Sequence, residues 1–433
     1  MAETISKASI TRTKKSLLSA DTRPLHRIIG TIVLLFTLYF GVTGSLIQMV
    51  DIKAVLSHAA ATDPEMLAIR ESIDGTPNYS VIQAADYTAP ALPGNFDFNA
   101  ALANVLKTAR SSAGANANLK YVELRVLDGK PIGIVQASDG KTNRMLRVDP
   151  ATGTPLPNPP PRQRIRPAPS MHNVFKRWHR LQAFGLGDES EWINGLVGIG
   201  LFLMIITGIV LYFRLLRARS RAGLKSFFWS AGGFWRSLHR GVSIVAAAFL
   251  LVVSISGTLL SIDSVGLGLY MSAHQDPAKP GRQFPAGMVG DLSSPLTDAE
   301  LPAMLQTTLS SFHAEKSGTP IKVLRLRYYS GQPQGLLIYG SGADTSQIVY
   351  NTSTGRRTST TEPGYPYTGF PLGWKWHELM KQIHRGDIIG IPGRFMDLFA
   401  AFSLVFLSAS GLVMYLDVWK KRRRTGKSSP VWV

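Results

Sequence analysis

Four long apolar segments, separated by much more polar stretches, dominate the pattern of hydrophobic and polar positions along the chain. They cover residues 28–50, 192–216, 242–262 and 395–416. Each is long enough, as a helix, to cross the roughly 30 Å hydrocarbon core of a bilayer. None has a charged residue in its middle, where a charge costs about 2.5–3.5 kcal/mol on insertion. The pattern therefore predicts a bundle of four transmembrane helices. The first segment exceeds the roughly 7–15 apolar residues of a secretory signal, so it is expected to be a retained helix.

The two long polar stretches, 51–191 and 263–394, repeat a second pattern. Each contains a helix-like segment, at 98–113 and at 298–312, followed by short runs in which apolar and polar residues alternate. Period-two runs bounded by Gly, Pro and Asp predict a helix followed by an antiparallel meander. Each stretch is thus expected to fold as a small α+β domain. The proline-rich segment 155–169 predicts an extended linker back to the membrane.

Basic residues cluster next to the apolar segments, and they orient the chain. The formal net charge is +19. Most of this positive charge lies in three segments. These are residues 1–27, the connection 217–241 together with the end of the apolar segment before it, and residues 417–433. By the positive-inside bias these segments, including both termini, are expected in the cytoplasm, with 51–191 and 263–394 on the other side. Anionic lipid, not nucleic acid, is the expected partner of this charge. The absence of cysteine excludes disulfides, cysteine-ligated iron–sulfur clusters and covalently attached haem.

The two halves of the chain match at fixed offsets. The dipeptide His-Arg precedes every apolar segment, at 26–27, 179–180, 239–240 and 384–385. In the first and third segments a similar four-residue motif, TGSL or SGTL, begins 17 residues after the histidine. Asp51 or Asp263 follows the motif. The second and fourth end alike, at 207–212 and 410–415. These offsets predict an internal duplication, with the halves related by a pseudo-two-fold axis near the membrane normal.

The helix-and-strand pattern, with a terminal strand of the form V-D-x-x-T-G at 148–153, resembles the PepSY domain. Its insertion between transmembrane helices is similar to the PepSY-associated transmembrane proteins of bacterial inner membranes, and the resemblance covers most of the chain. It implies that the protein lies in the inner membrane with its two α+β domains in the periplasm. Some members of that family are haem-containing ferric-siderophore reductases, and others are described only as iron-regulated membrane proteins.

The repeated histidines supply the candidate chemistry. The two-fold pairing is expected to bring His26 and His239 together at the cytoplasmic mouth of the bundle, and His179 and His384 together at the periplasmic mouth. Two neutral imidazoles facing each other across a bundle can hold one b-type haem, which predicts two haems b with these four histidines on iron. A single interfacial His-Arg is ordinarily a headgroup contact. Four in matched positions favour ligation.

Neighbouring residues extend the candidate sites. An arginine fork can pair with a haem propionate, and the candidates are Arg27, Arg180, Arg240 and Arg385. His172 and His377 stand seven residues before His179 and His384. They are alternative axial ligands, contacts to the substrate, or ordinary polar residues of a juxtamembrane helix. Zinc is the competing use of paired histidines, but it usually requires three or four converging ligands. No residue is singled out as catalytic.

A haem with both axial positions filled by histidine is suited to electron transfer. The cytoplasmic segments contain no G-x-G-x-x-G fingerprint, so the expected electron donor is a lipid quinol or a separate protein. Together with the resemblance, this predicts a di-haem b reductase that passes electrons across the membrane to a ferric siderophore, a ferric chelate, in the periplasm for iron release. The alternative is a non-enzymatic, membrane-anchored PepSY protein that binds or regulates a partner.

Overall fold

A computed structural model describes residues 22–60, 63–73, 84–114, 117–138, 143–157, 170–224, 226–274, 295–329, 332–358 and 371–426. The predicted N-terminal segment up to residue 21, most of the proline-rich linker and the last seven residues lie outside these ranges. The chain divides into two compact units. The helical unit comprises the described residues within Met1–Ser45, Ile193–Thr258 and Met396–Val433, and the sheet unit those within Leu46–Trp192 and Leu259–Phe395.

Four helices are long and apolar enough to cross a membrane, as the hydrophobic pattern predicted. In chain order the helices of the described residues are α1 (Arg23–Leu56), α2 (Pro64–Ile73), α3 (Ala84–Tyr87), α4 (Phe98–Ala113), α5 (Met171–His179), α6 (Glu189–Arg221), α7 (Phe234–Ala273), α8 (Leu301–Glu315), α9 (Trp374–His384) and α10 (Ile391–Arg424). The four candidate spans are α1, α6, α7 and α10. At a rise of about 1.5 Å per residue each exceeds the roughly 30 Å of hydrocarbon, so its ends extend beyond the apolar segment.

Small residues let the long helices of the helical unit pack closely. A Cβ added to Gly41 of α1 would lie 2.9 Å from a methyl carbon of Val405 on α10, and one added to Gly198 of α6 would overlap Thr258 on α7. The apolar core of this unit contains Leu201, Ala246, Leu250, Ala400 and Leu404. Glycines at helix contacts are typical of membrane proteins, where close packing replaces the hydrophobic effect as the source of association.

The sheet unit contains one antiparallel sheet with the strand order β4-β3-β2-β1-β5-β6-β7. The strands are β1 (Asn118–Leu127), β2 (Lys130–Ser138), β3 (Asn143–Val148), β4 (Pro155–Leu156), β5 (Ile321–Tyr329), β6 (Gln332–Tyr339) and β7 (Ser346–Asn351). Each long stretch forms a helix and a meander, as predicted. The expectation of two separate α+β domains is corrected, because β1 pairs with β5 and joins the meanders into a single sheet.

A buried ion pair stands at the seam between the two meanders. Glu123 of β1 lies directly opposite Arg325 of β5, and the arginine Nε donates to its carboxylate at 2.6 Å. Arg125 completes the cluster by bonding Glu123 and Asp86, at 3.2 and 2.7 Å. Opposite charges placed directly across two antiparallel strands stabilise their pairing. The exposed edge that each meander would have alone is thereby paired, which removes an aggregation-prone edge.

Candidate functional site

His26 and His239 line one cavity of about 400 Å³ in the helical unit. His26 lies in the first turns of α1 and His239 in those of α7. The other lining residues are mostly apolar and include Met204, Ile205, Leu250, Leu404, Leu407 and Met414. The structure therefore brings the first predicted pair to a shared, largely apolar space. Such a space suits the flat, apolar face of a porphyrin.

Each of these two imidazoles is held by a hydroxyl on another helix. His26 Nδ1 lies 2.9 Å from Thr207 Oγ1 of α6, and His239 Nδ1 lies 2.8 Å from Ser410 Oγ of α10. Both hydroxyls also donate to a carbonyl about one turn earlier on their own helix, at 2.8 and 3.2 Å. Because a hydroxyl has one proton, it accepts from the imidazole N–H. This assignment puts the proton on Nδ1 and the lone pair on Nε2, the arrangement of a metal-ligating histidine.

The residue after each hydroxyl is a glycine beside the ring. A Cβ added to Gly208 would lie 3.4 Å from Cε1 of His26, and one added to Gly411 would lie 3.9 Å from Cε1 of His239. Thr207-Gly208 and Ser410-Gly411 are the dipeptides that mark the repeated helix ends in the sequence. Sequence reasoning used them only as evidence of repetition and missed their role as partners of the histidines.

His179 and His384 are the last residues of α5 and α9 in the sheet unit. Both helices stop there because the chain turns left-handed within two residues, at Leu181 (φ 58°) and at Gly386 (φ 73°). The start of α5 is fixed by Glu65, whose carboxylate accepts the N–H groups of Met171 and His172 at 2.5 and 2.8 Å. A carboxylate at a helix N-terminus is favoured by the helix dipole. Both histidines are thus placed by defined helix ends.

The imidazole rings of His179 and His384 have their centroids 6.3 Å apart and are tilted by 46°. Two imidazole nitrogens at about 2.0–2.1 Å from one metal ion put the ring centroids roughly 6 Å apart. The observed separation therefore fits one metal between the two rings. Burial, and then the nearby charges of His384 and Arg180, lower the pKa of His179 to about 3. The ring is consequently neutral near pH 7, the form that ligates metals.

The arginines that follow the histidines all have protein partners. Arg180 binds the carboxylate of Glu191 at 2.5 Å, and Arg27 donates to the carbonyl of Arg23 at 3.3 Å. Arg240 donates to the carbonyl of Ala231 at 2.6 Å. The interaction of these side chains with haem propionates stays a prediction.

His172 and His377 each bind the aspartate that follows a long apolar segment. His172 Nδ1 lies 2.7 Å from Asp51, and His377 Nδ1 lies 3.0 Å from Asp263. The sequence offsets had marked both aspartates and both histidines, but not that they meet. These bonds fix the ring orientation in the same way in both halves. The roles of His172 and His377 as axial ligands, substrate contacts or structural residues stay predictions.

The surroundings of the two aspartates differ. Asp51 is fully buried and also binds Arg394 at 2.7 Å and Arg385 at 3.5 Å. Asp387 contacts the same two arginines, at 2.6 and 3.4 Å, so the cluster balances two acids with two guanidinium groups. Burial lowers the pKa of Arg385, and these carboxylates oppose that effect.

Asp263 accepts from His377 and from the backbone N–H of Leu372 at 2.9 Å. In the register of the repeated helix ends, the position of Arg394 is occupied in the other half by Glu191. The charge is reversed between the halves, so the repeat could not predict the arginine cluster. Among the described residues there is no group of three or more His, Asp or Glu side chains placed to hold a metal ion.

The four membrane-spanning candidates and the match to a family of transmembrane regions, given next, together indicate a multi-pass membrane protein. The sequence profile of the PepSY-associated TM region matches residues 25–417. Because the match covers most of the chain, the protein belongs to this family, and the resemblance drawn from the sequence is confirmed. No curated protein matches the sequence.

Proposed function

We propose that this protein is a bacterial inner-membrane reductase that holds two b-type haems and passes electrons outward to a ferric siderophore in the periplasm. The observation that supports the proposal most strongly is the pairing of the four histidines, above all the 6.3 Å between the ring centroids of His179 and His384. The shared cavity of His26 and His239 supports a second such site. The two halves are, in this proposal, copies of one unit, with both termini in the cytoplasm.

The residues divide into ligands and groups that hold the ligands. His26, His239, His179 and His384 would bind iron, and the hydroxyls of Thr207 and Ser410 orient the first two rings. When bound, haem with two imidazole ligands supplies one-electron transfer without an open coordination position. The electron donor is a quinol or a separate protein. One electron delivered to the ferric chelate leaves ferrous iron, which hard oxygen ligands hold less tightly.

The direct test is the absorption spectrum of the full-length protein, purified after expression with ample haem. We expect a reduced-minus-oxidised difference spectrum of low-spin b-type haem and two haems per chain in a pyridine haemochrome assay. A chain that binds no low-spin haem would contradict the proposal. The non-enzymatic, membrane-anchored binding protein would then be the better description.

The hydroxyl partners provide a finer prediction. Thr207→Val keeps the side-chain shape but removes the acceptor for the N–H of His26, and Ser410→Ala does the same for His239. Loss of such a partner typically lowers metal affinity or activity about 10–100-fold, so we expect reduced haem content and a shifted midpoint potential for this haem. Redox titration of the purified variants measures both effects. Thr31→Val is the control, because its hydroxyl donates to its own helix at Arg27. Identical titrations for all three variants would refute the assignment.

A further inference from the structure

A groove of about 900 Å³ opens in the helical unit, beside the cavity of His26 and His239. This volume lies within the roughly 300–1,000 Å³ typical of small-molecule sites. Tyr212 and Arg240 line both the groove and the cavity. The two spaces are therefore neighbours that share part of their walls. A ligand in the groove would lie next to the candidate cofactor site.

One end of the groove is aromatic and polar. It is lined by Ser226, Phe228, Trp229, Ser230, Phe234 and Ser237. The segment that carries the first four of these residues is fastened to the helices. Tyr212 donates its hydroxyl proton to the carbonyl of Phe227 at 2.6 Å, and the guanidinium groups of Arg219 and Arg240 lie 4.8 and 4.9 Å from the centre of the Trp229 ring. This end is thus a fixed aromatic surface with hydroxyl groups around it.

The other end of the groove is apolar and follows α7. The lining positions Leu238, Val242 and Val245 are spaced as neighbours on one helix face, and Phe399 of α10 completes the wall. From 238 to 245 the groove runs about two turns, or roughly 10 Å. Val245 is 51% exposed, so this end opens sideways from an apolar helix. The groove is consequently amphipathic along its length.

We propose that this groove binds a lipid quinone, with the head group at the aromatic end and the first isoprenoid units along α7. A flat head group can lie against the aromatic surface. The hydroxyls of Ser226 and Ser237 already donate to the carbonyls of Phe228 and Trp229, so among the lining serines Ser230 is the one that would donate to an oxygen of the head group. An apolar tail fits the apolar end of the groove, which is lined by Val242, Val245 and Phe399. Among the described residues that line the groove, Arg240 is the one charged side chain, and its Nη2 already donates to the carbonyls of Trp229 and Ala231, at 3.2 and 2.6 Å. A lining with so little charge favours a neutral head group over a phosphate.

The inference deepens the proposed function, since it selects a quinol rather than a separate protein as electron donor. Binding itself is measured without reference to electron transfer. The full-length protein in detergent is photolabelled with an azido-quinone, and the adduct is mapped by peptide mass spectrometry. We expect label within residues 226–245 and its displacement by decyl-ubiquinone.

Two variants fill the groove from different positions. Val245→Trp blocks the apolar end of the groove, and Gly241→Leu projects into open space, because a Cβ added at Gly241 meets nothing within 4 Å. We expect each to reduce labelling at least tenfold. Val252→Trp is the matched control on the same helix: Val252 is similarly exposed, at 49% against 51% for Val245, and does not line the groove. Its labelling should equal that of the unmodified protein.

Three results would overturn the inference: label confined to other segments, labelling that both groove variants leave unchanged, or label displaced by an anionic phospholipid but not by decyl-ubiquinone. The last result would make the groove a phospholipid site. Failure of the proposed function has a different signature. A chain that takes the label but holds no haem keeps the quinone site and contradicts the reductase, whereas a haem-loaded chain without label contradicts the quinone site alone.

Discussion

Replacing His179 or His384 by alanine is expected to remove one of the two proposed haems and to abolish the proposed reduction of a ferric chelate. The two rings lie at the separation that one metal ion requires, so loss of either ring would remove one of the two residues that would hold the iron. Loss of an outer-shell partner of a metal ligand typically costs about 10–100-fold, and loss of a ligand itself should cost at least about 100-fold. Haem content and the rate of ferrous iron release, followed with a ferrous-specific dye, measure the effect.

The matched control for this prediction is His313→Ala. His313 lies exposed on α8, and the sequence repeat offers no counterpart for it. This variant should keep both haems and the full rate. The haem proposed at His26 and His239 should persist in the His179→Ala protein, which should then hold half of the original haem content. Two low-spin haems in the His179→Ala protein would exclude His179 as an axial ligand.

The largest effect on stability is expected from Asp51→Asn. This change leaves the buried Arg394 and the partly buried Arg385 facing the single carboxylate of Asp387. Removing one partner of a buried ion pair typically costs about 3–5 kcal/mol, because the remaining charge is neither paired nor hydrated. We expect the free energy of unfolding in detergent to fall by about this amount. Thermal or denaturant unfolding of the purified protein measures it.

Asp263→Asn is the comparison from the other half of the chain. Asp263 accepts from one imidazole and one backbone N–H, so an amide oxygen can replace part of its role. Its loss should cost about 1–3 kcal/mol, the usual range for an incompletely satisfied buried group. Equal losses in the free energy of unfolding for the two substitutions would show that the arginines do not increase the contribution of Asp51 to stability.

The four long helices and the antiparallel strands were predictable because their signals are local. For example, the length and apolar composition of segment 28–50 are enough to predict a membrane-spanning helix, and the helix Arg23–Leu56 contains this segment. One of the alternating runs that follow the helix-like segment 98–113, at residues 121–126, likewise lies within β1. Candidate histidines could be found for the same reason, since their spacing to each apolar segment repeats in both halves. The structure brings His179 near His384 and places His26 and His239 on one cavity.

By itself, the sequence determined the number of apolar spans, the type of the strand regions, the family and the four paired histidines. The tertiary structure decided which strand edges meet and which side chains complete the sites. Pairing of β1 with β5 and binding of Asp51 by Arg394 join residues about 200 and 340 positions apart. Such contacts depend on the geometry of several elements at once. The local periodicity of the sequence contains no information on these long-range contacts. At the position of Arg394, the other half of the chain has a residue of opposite charge.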